Sequence, residues 1–194
     1  MSAIRIFAVA MVLTAVTFAT AQAATMDEIK EATDALIEFI EKGDYKKAQG
    51  KVDFLSAALN EFDFDVKKKF FKDDLAGFIG GEMSAQSVMG ISVIERTYTR
   101  GGKTVKVSLT DLVASAGPAG LAAMDQMFGQ QQATFRLPGR VAASVTNQGG
   151  LTEITATIGR SIFRVESSNT KEEKVKEVAN AFPIKELLDY VEGR

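Results

Sequence analysis

The 194-residue chain contains no cysteine, no histidine and no tryptophan. Histidine is the most common general base and transition-metal ligand, and cysteine supplies the thiolates of many catalytic and zinc sites. Ser-His-Asp triads, Cys-His pairs and zinc sites built from His or Cys are therefore excluded. Because disulfides are also absent, the fold must be stabilised by burial alone. We expect a non-catalytic protein with no cofactor and no metal site.

The first 23 residues have the organisation of a secretory signal peptide. A short start with one arginine, MSAIR, precedes the apolar run IFAVAMVLTAVTFAT, and AQA (Ala21 to Ala23) is a cleavage pattern of small residues. The apolar run is shorter than the about 20 residues that span a bilayer. An uncleaved N-terminal anchor is the alternative. We expect a mature chain that begins near Ala24 and is located in the periplasm.

The charge of the chain is mildly acidic, with 23 Lys and Arg against 25 Asp and Glu and a formal net charge of −2. Sequence-independent binding to nucleic acid requires a basic surface that displaces counterions from phosphates. We therefore expect no nucleic-acid partner.

Residues 24–74 carry the pattern of two helices. Thr25 followed by Glu28 is a capping box, and Gly43 with Asp44 ends one helix and caps the next. So short a connection predicts an antiparallel helical hairpin. Apolar residues of the second helix repeat at steps of three and four: Tyr45, Ala48, Val52, Leu55, Leu59, Phe62, Val66 and Phe70.

Two charged motifs stand near the end of this hairpin. Asp63 and Asp65 in DFD lack the other ligands of a calcium loop, so we interpret them as solvated acids on an outer face. The KKKFFK stretch fits the helix C-terminus, where lysine complements the helix dipole and phenylalanine enters the core. The functional alternative is contact with an anionic membrane surface or an acidic partner. Its residues are Lys67, Lys68, Lys69 and Lys72.

Residues 75–194 carry β patterns and a helical end. A glycine-rich entry segment (Gly77, Gly80, Gly81) precedes a hairpin that turns at Gly101-Gly102, where Arg100 pairs with Lys103. In this register Tyr98 faces Val105, Arg96 faces Val107 and Ile94 faces Leu109. This face is predicted to be the core face, and the opposite face carries Glu95, Thr97, Thr104, Lys106 and Ser108.

Arg96 interrupts the apolar core face and has two interpretations. Its side chain either extends to solvent from the rim of the core, or places a charge in a concave site. In the second case Arg96 and Tyr98 are candidate ligand-binding residues.

Three further strands are predicted at 139–146, 151–158 and 161–167. A helix with a capping box from Thr170 to Glu173 follows, and Pro183 separates it from a short last helix. Helices followed by runs of strands predict an α+β fold with a mainly antiparallel sheet of about five strands. A C-terminal helix should cover one face, and residues 75–194 should form one compact domain with 24–74.

The segment 117–132, GPAGLAAMDQMFGQQQ, has three interpretations. Pro118 and the spacing of its apolar residues predict a short amphipathic helix that packs as filler between the two β blocks. A mobile flap over an apolar pocket is the second. Capture of Cu(I) by thioethers, with Met83 or Met89 as further ligands, is the third. The candidate ligand-binding residues are Met124, Met127 and Phe128.

The order of EKGDYKKA, LAGF, ERTYTRGGKTVKVSL, a Met-containing segment, GGLTEITATIGRSIFRVESS and a terminal helix resembles an uncharacterised family of exported bacterial proteins. The resemblance implies a periplasmic location and an α+β fold, and it brings no catalytic residue. We expect a binding or accessory protein that engages a partner protein or an apolar, lipid-like ligand near 117–132. A Met-based copper protein and a carboxylate-dependent hydrolase are the alternatives. The spacing reveals no pair of acids that converge in a cleft.

The predicted signal peptide is tested by the mass of the exported protein. We expect protein recovered from the periplasm of its bacterial host to begin at or near Ala24, because the A-x-A pattern ends at Ala23. Intact-mass spectrometry measures this directly. A chain that retains residues 1–23 would support the anchor instead.

Overall fold

The computed structural model describes residues 24–88, 91–112 and 133–194. These residues form one antiparallel sheet and four helices: α1 (Met26–Glu41), α2 (Tyr45–Lys68), α3 (Glu172–Ala181) and α4 (Ile184–Val191). The strands are β1 (Asp74–Leu75), β2 (Phe78–Val88), β3 (Ile91–Arg100), β4 (Lys103–Leu112), β5 (Phe135–Arg136), β6 (Ala142–Gln148), β7 (Leu151–Ile158) and β8 (Ser161–Ser167). The α+β class with an antiparallel sheet is confirmed, whereas the prediction of about five strands is wrong because the sheet has eight.

The chain divides into two compact units whose boundary lies between Ala58 and Leu59, inside α2. In the first unit, α1 begins with the predicted capping box: the Thr25 hydroxyl accepts from the Glu28 amide, and the Glu28 carboxylate accepts from the Thr25 amide at 2.7 Å. Gly43 follows the end of α1 and has a φ of 71°, a backbone conformation that favours glycine. Asp44 then accepts from the Lys47 amide at the start of α2.

The described part of the first unit buries small side chains and exposes large ones. Its buried apolar residues are Ala32, Ala48 and Ala58. The predicted apolar repeat of α2 is therefore not a continuous buried seam, since Ala48 is its only fully buried member. The exposed large apolar residues of this unit are Met26, Ile37, Ile40, Tyr45, Val52 and Phe54.

The sheet belongs to the second unit, and its strand order is β1-β2-β3-β4-β8-β7-β6-β5. Two antiparallel meanders, β1 to β4 and β5 to β8, are joined through the pairing of β4 with β8. The β3–β4 hairpin has the predicted register, with Arg100 opposite Lys103 and Tyr98 opposite Val105. The predicted core face is confirmed, because Ile94, Tyr98 and Val105 are at most 1% exposed.

Strand β2 is the main element that the sequence pattern did not predict. The glycines at its start favour a turn segment, but residues 78–88 form a strand that pairs with β3. The register shifts between Gly80 and Met83, as in a β-bulge, which glycine accommodates well. A Cβ on Gly80 would lie 2.5 Å from Nε of Arg96, so glycine at this position makes room for the arginine.

The core lies between one face of the sheet and the C-terminal helices. Phe163, at the centre of β8, is fully buried, and its ring centroid lies 4.8 Å from that of Phe182 in the link between α3 and α4. Phe182 also contacts Phe71 edge-on, with centroids 5.2 Å apart. The helices contribute Val175, Val178, Ala179, Ile184 and Leu187 to this core.

Helix α3 begins differently from the prediction. Its N-cap is Lys171, which provides no side-chain cap, so the predicted capping box from Thr170 to Glu173 is wrong. The Thr170 hydroxyl donates instead to the carbonyl of Thr104 at 3.1 Å and ties the helix start to β4.

The opposite face of the sheet carries ion pairs, in agreement with its predicted polar character. Lys106 lies 2.7 Å from Glu166 and 3.9 Å from Glu95, and its hydrogen bond to Glu166 raises the pKa of the Lys106 ammonium. Arg164 and Glu153 form a further pair at 3.6 Å.

Phe163→Ala tests this account of the core. We expect a loss of about 3–5 kcal/mol in the free energy of unfolding, because the substitution leaves a cavity among well-packed side chains. The control is Ile79→Ala on β2, where the side chain is exposed, and it should cost less than about 1 kcal/mol. Urea denaturation followed by circular dichroism measures both, and similar losses would contradict the assignment.

Candidate functional site: a polar cleft at the end of the sheet

The core face of the sheet changes from apolar to polar at one end of β3, β4 and β8. Ser92 pairs with Asp111, and Asp111 pairs with Ser161, so these residues form one row across three strands. All three are at most 9% exposed. The neighbouring row on the same face is apolar and consists of Ile94, Leu109, Phe163 and Ala156.

Lys67, in the last turn of α2, connects this row to the helix. Its Nζ donates to Oδ2 of Asp63 at 2.7 Å and to Oδ2 of Asp111 at 2.8 Å. Lys67 is 6% exposed, so it is largely buried, although it borders the cleft described below. The Ser161 hydroxyl donates to Oδ1 of the same Asp111. The end of α2 is thereby tied to both β4 and β8.

Tyr190 of α4 extends the network from the other side. Its hydroxyl donates to Oδ1 of Asp63 at 2.8 Å, and its ring lies 6.0 Å from that of Phe70. Partial burial, together with the carboxylate of Asp63, raises the pKa of Tyr190 to about 12. The hydroxyl therefore keeps its proton at neutral pH and acts as a hydrogen-bond donor.

These groups line an open cleft of about 390 Å³. The network described above forms its polar side together with Ser92 and Arg160. Its apolar wall consists of Leu59, Phe64 and Val191, and Asn60 completes the lining. A cavity with apolar walls and a few converging polar groups has the general character of a small-ligand site.

The charges of the cleft are balanced, with two cations and two carboxylates in its lining. The ammonium of Lys67 lies between two carboxylates, and Arg160 adds a second cation to the lining. Within residues 24–88, 91–112 and 133–194, no three carboxylates gather as ligands of a metal ion. The arrangement is suited to hydrogen bonding with a ligand that brings both donors and acceptors.

Two predicted ligand-binding residues lie on β3, Arg96 and Tyr98. Both bind other groups of the protein. The Arg96 guanidinium donates to the carbonyl oxygens of Gly81, Phe71 and Lys72 at 2.8, 2.9 and 3.1 Å. It also pairs with Asp73 at 2.8 Å. Arg96 therefore fastens the segment between α2 and β2 and does not line the cleft.

Tyr98 has a similar role. Its side chain is fully buried, and its hydroxyl donates to the carbonyl of Lys72 at 3.0 Å. Burial raises the pKa of Tyr98 to about 12. The residue anchors the same segment as Arg96.

The four candidate lysines of the KKKFFK stretch have different environments in the structure. Lys67 is buried in the network, so its side chain is not presented to an external surface. Lys68 pairs with Asp65 at 2.7 Å and lies over the ring of Phe64. Lys69 and Lys72 are exposed.

The predicted methionine site lies outside the described residues, since Met124, Met127, Phe128 and Met89 all fall in the undescribed ranges. Met83 is described: it lies on β2, is half-buried and packs against the core.

Sequence reasoning missed the cleft although one signal for it was present. In the predicted register, Asp111 follows Val105, Val107 and Leu109 on the core face, which makes it an acid at a buried position. Asp63, which the sequence predicts to be a solvated acid, has a side chain that is 41% exposed, but one of its oxygens binds Lys67 and the other Tyr190. Asp63 and Asp111 converge because α2 packs against the sheet, and the spacing of residues along the sequence does not reveal this packing.

No known family, curated protein or solved structure matches the chain. None of the helices in the described ranges is both long and apolar enough to cross a bilayer.

Lys67→Met tests the network. We expect it to lower the free energy of unfolding by about 3–5 kcal/mol, because it leaves Asp111 as a buried charge without its cation. Lys174→Met is the matched control: Lys174 is exposed and pairs with Glu177 at 2.7 Å, so its loss should cost about 0–1 kcal/mol.

A second variant separates charge from packing. Lys67→Met combined with Asp111→Leu should recover much of the lost stability, because both buried charges are then removed. Urea denaturation measures all three variants. Equal stability of Lys67→Met and Lys174→Met would contradict the proposed burial of the ion pair.

Proposed function

We propose that the protein is a non-catalytic, exported binding protein that holds a small ligand in the cleft between the end of α2, the sheet and α4. The observation that carries the proposal is the convergence of Asp63, Lys67, Asp111 and Tyr190 on one open cavity of about 390 Å³. Ligand sites are typically cavities of about 300–1,000 Å³ with few, well-placed polar groups, so this cleft matches the lower end of the range.

A binding role fits the cleft better than hydrolysis does. The two aspartates favour the hydrolase alternative because both reach the same cavity. In carboxylate-dependent glycosidases, however, the acids flank an open gap of about 5–10 Å that receives the substrate and water. Here the ammonium of Lys67 fills the space between Asp63 and Asp111 and hydrogen-bonds to both. The hydroxyl of Tyr190 keeps its proton and does not supply a base at neutral pH.

The periplasmic location is part of this proposal and is supported by the pattern of residues 1–23. Engagement of a partner protein or an apolar, lipid-like ligand near 117–132, and Cu(I) capture by its methionines, stay predictions. A membrane or acidic-partner contact through Lys69 and Lys72 is likewise a prediction, supported by the exposure of both side chains.

Asn60→Phe tests whether the cleft holds a ligand. Asn60 is half-buried on α2 at the cleft, so a phenylalanine there should fill part of the cavity without removing a member of the charged network. We expect native mass spectrometry of the full chain, purified from the periplasm of its own host, to show a bound small molecule. The Asn60→Phe variant should lose most of it.

Gln49→Phe is the matched control, because Gln49 is exposed on the same helix and lies outside the cleft. It should retain the ligand. The same spectra would report copper, lipid or a partner subunit in place of a cleft ligand. Equal loading of both variants, or wild-type protein without a small molecule, would count against the proposal.

A further inference from the structure

The cleft has hydrogen-bonding capacity that the described residues do not use. A carboxylate offers about four lone-pair positions and an ammonium three donors. Asp63 and Asp111 each accept two side-chain hydrogen bonds, and Lys67 donates to two carboxylates among the described residues. Within the part of the chain that the structure describes, these groups therefore have unused acceptors and one unused donor within a few ångströms of one another. A hydroxyl group, which both donates and accepts, complements such a pair of neighbours.

The charge balance of the cleft argues for a neutral ligand. An anion would approach the carboxylates of Asp63 and Asp111, and Arg160, the second cation of the lining, already has an interaction of its own. A cation would compete with the ammonium of Lys67, which lies 2.7 and 2.8 Å from the two carboxylates. Desolvating a charged ligand without a free counter-charge is costly. A neutral ligand avoids this cost because the charges of the cleft already neutralise one another.

The apolar wall adds a second requirement. Leu59, Phe64 and Val191 provide carbon surface in the lining of the same cleft. A ring or chain that carries several hydroxyl groups has C–H surfaces for such a wall and hydroxyls for the carboxylates. The volume of about 390 Å³ restricts the ligand to a small molecule.

We infer that the cleft binds a neutral polyhydroxyl molecule of about monosaccharide size. Neighbouring hydroxyls donate to the free lone pairs of Asp63 and Asp111, and one hydroxyl or ring oxygen accepts from Lys67. This inference depends on the proposed function, because it names the ligand class of the same cleft.

Asp63→Asn tests the ligand class. The probes are D-glucose, D-galactose, D-ribose and myo-inositol, with L-lysine and succinate as charged compounds of similar size, each titrated into the full chain by isothermal calorimetry. We expect saturable binding of at least one of the four neutral probes. Asp63→Asn should weaken it about 10-fold or more, because hydrogen bonds to a charged acceptor are stronger than those to an amide.

Asp65→Asn is the matched control. Asp65 lies two residues away on the same helix, pairs with Lys68 and does not line the cleft, so its substitution should leave the affinity unchanged. Circular dichroism of both variants verifies that each is folded. Equal weakening by the two substitutions would overturn the inference.

The remaining outcomes separate the ligand class from the proposed function. Binding of lysine or succinate alone, abolished by Asn60→Phe, would overturn the polyhydroxyl class and leave a ligand-binding cleft. Binding of none of the four neutral probes would also overturn the class. A ligand in the native mass spectrum that Asn60→Phe does not displace would overturn the proposed function itself.

Discussion

A single buried ammonium joins the parts of the second unit that form the cleft. Lys67 sits at the end of α2, binds Asp111 of β4 directly, and reaches α4 through Asp63 and Tyr190. Burying the charges of Lys67 and Asp111 is expensive, and such a network contributes little net stability compared with apolar packing of the same volume. Its benefit is positional, because the hydrogen bonds define where the helix end, the strand end and the terminal helix meet.

The segment after α2 is bound to the sheet by two side chains of β3. Arg96 and Tyr98 project from β3 and bind four carbonyl groups within 71–81, as well as the carboxylate of Asp73. Gly80 leaves the space that the guanidinium needs. An arginine on an otherwise apolar strand face is therefore explained by the backbone that it binds, which follows directly after α2.

Local patterns in the sequence predict a large part of this fold. The Thr25–Glu28 capping box, the Gly101-Gly102 turn and the β3–β4 register are confirmed. They could be predicted because the cap and the turn depend on residues close together in sequence, and the turn sets the register. Strand β2 was missed because its glycines resemble a turn, and they are needed for a bulge and for Arg96. The bond between Lys67 and Asp111 spans 44 residues, so it depends on tertiary packing and leaves no periodic signal. Asp111 on the core face was the one local sign of the cleft.

The pairing of β4 with β8 has a consequence for how the chain reaches its native state. Each meander forms through contacts between consecutive strands, whereas Asp111 and Ser161 are separated by 50 residues. Closing so long a loop costs conformational entropy before any long-range contact compensates for it, and this slows folding. We expect the two halves of the sheet to collapse early and their joining to limit the rate. The polar row at the end of the sheet would then be assembled last.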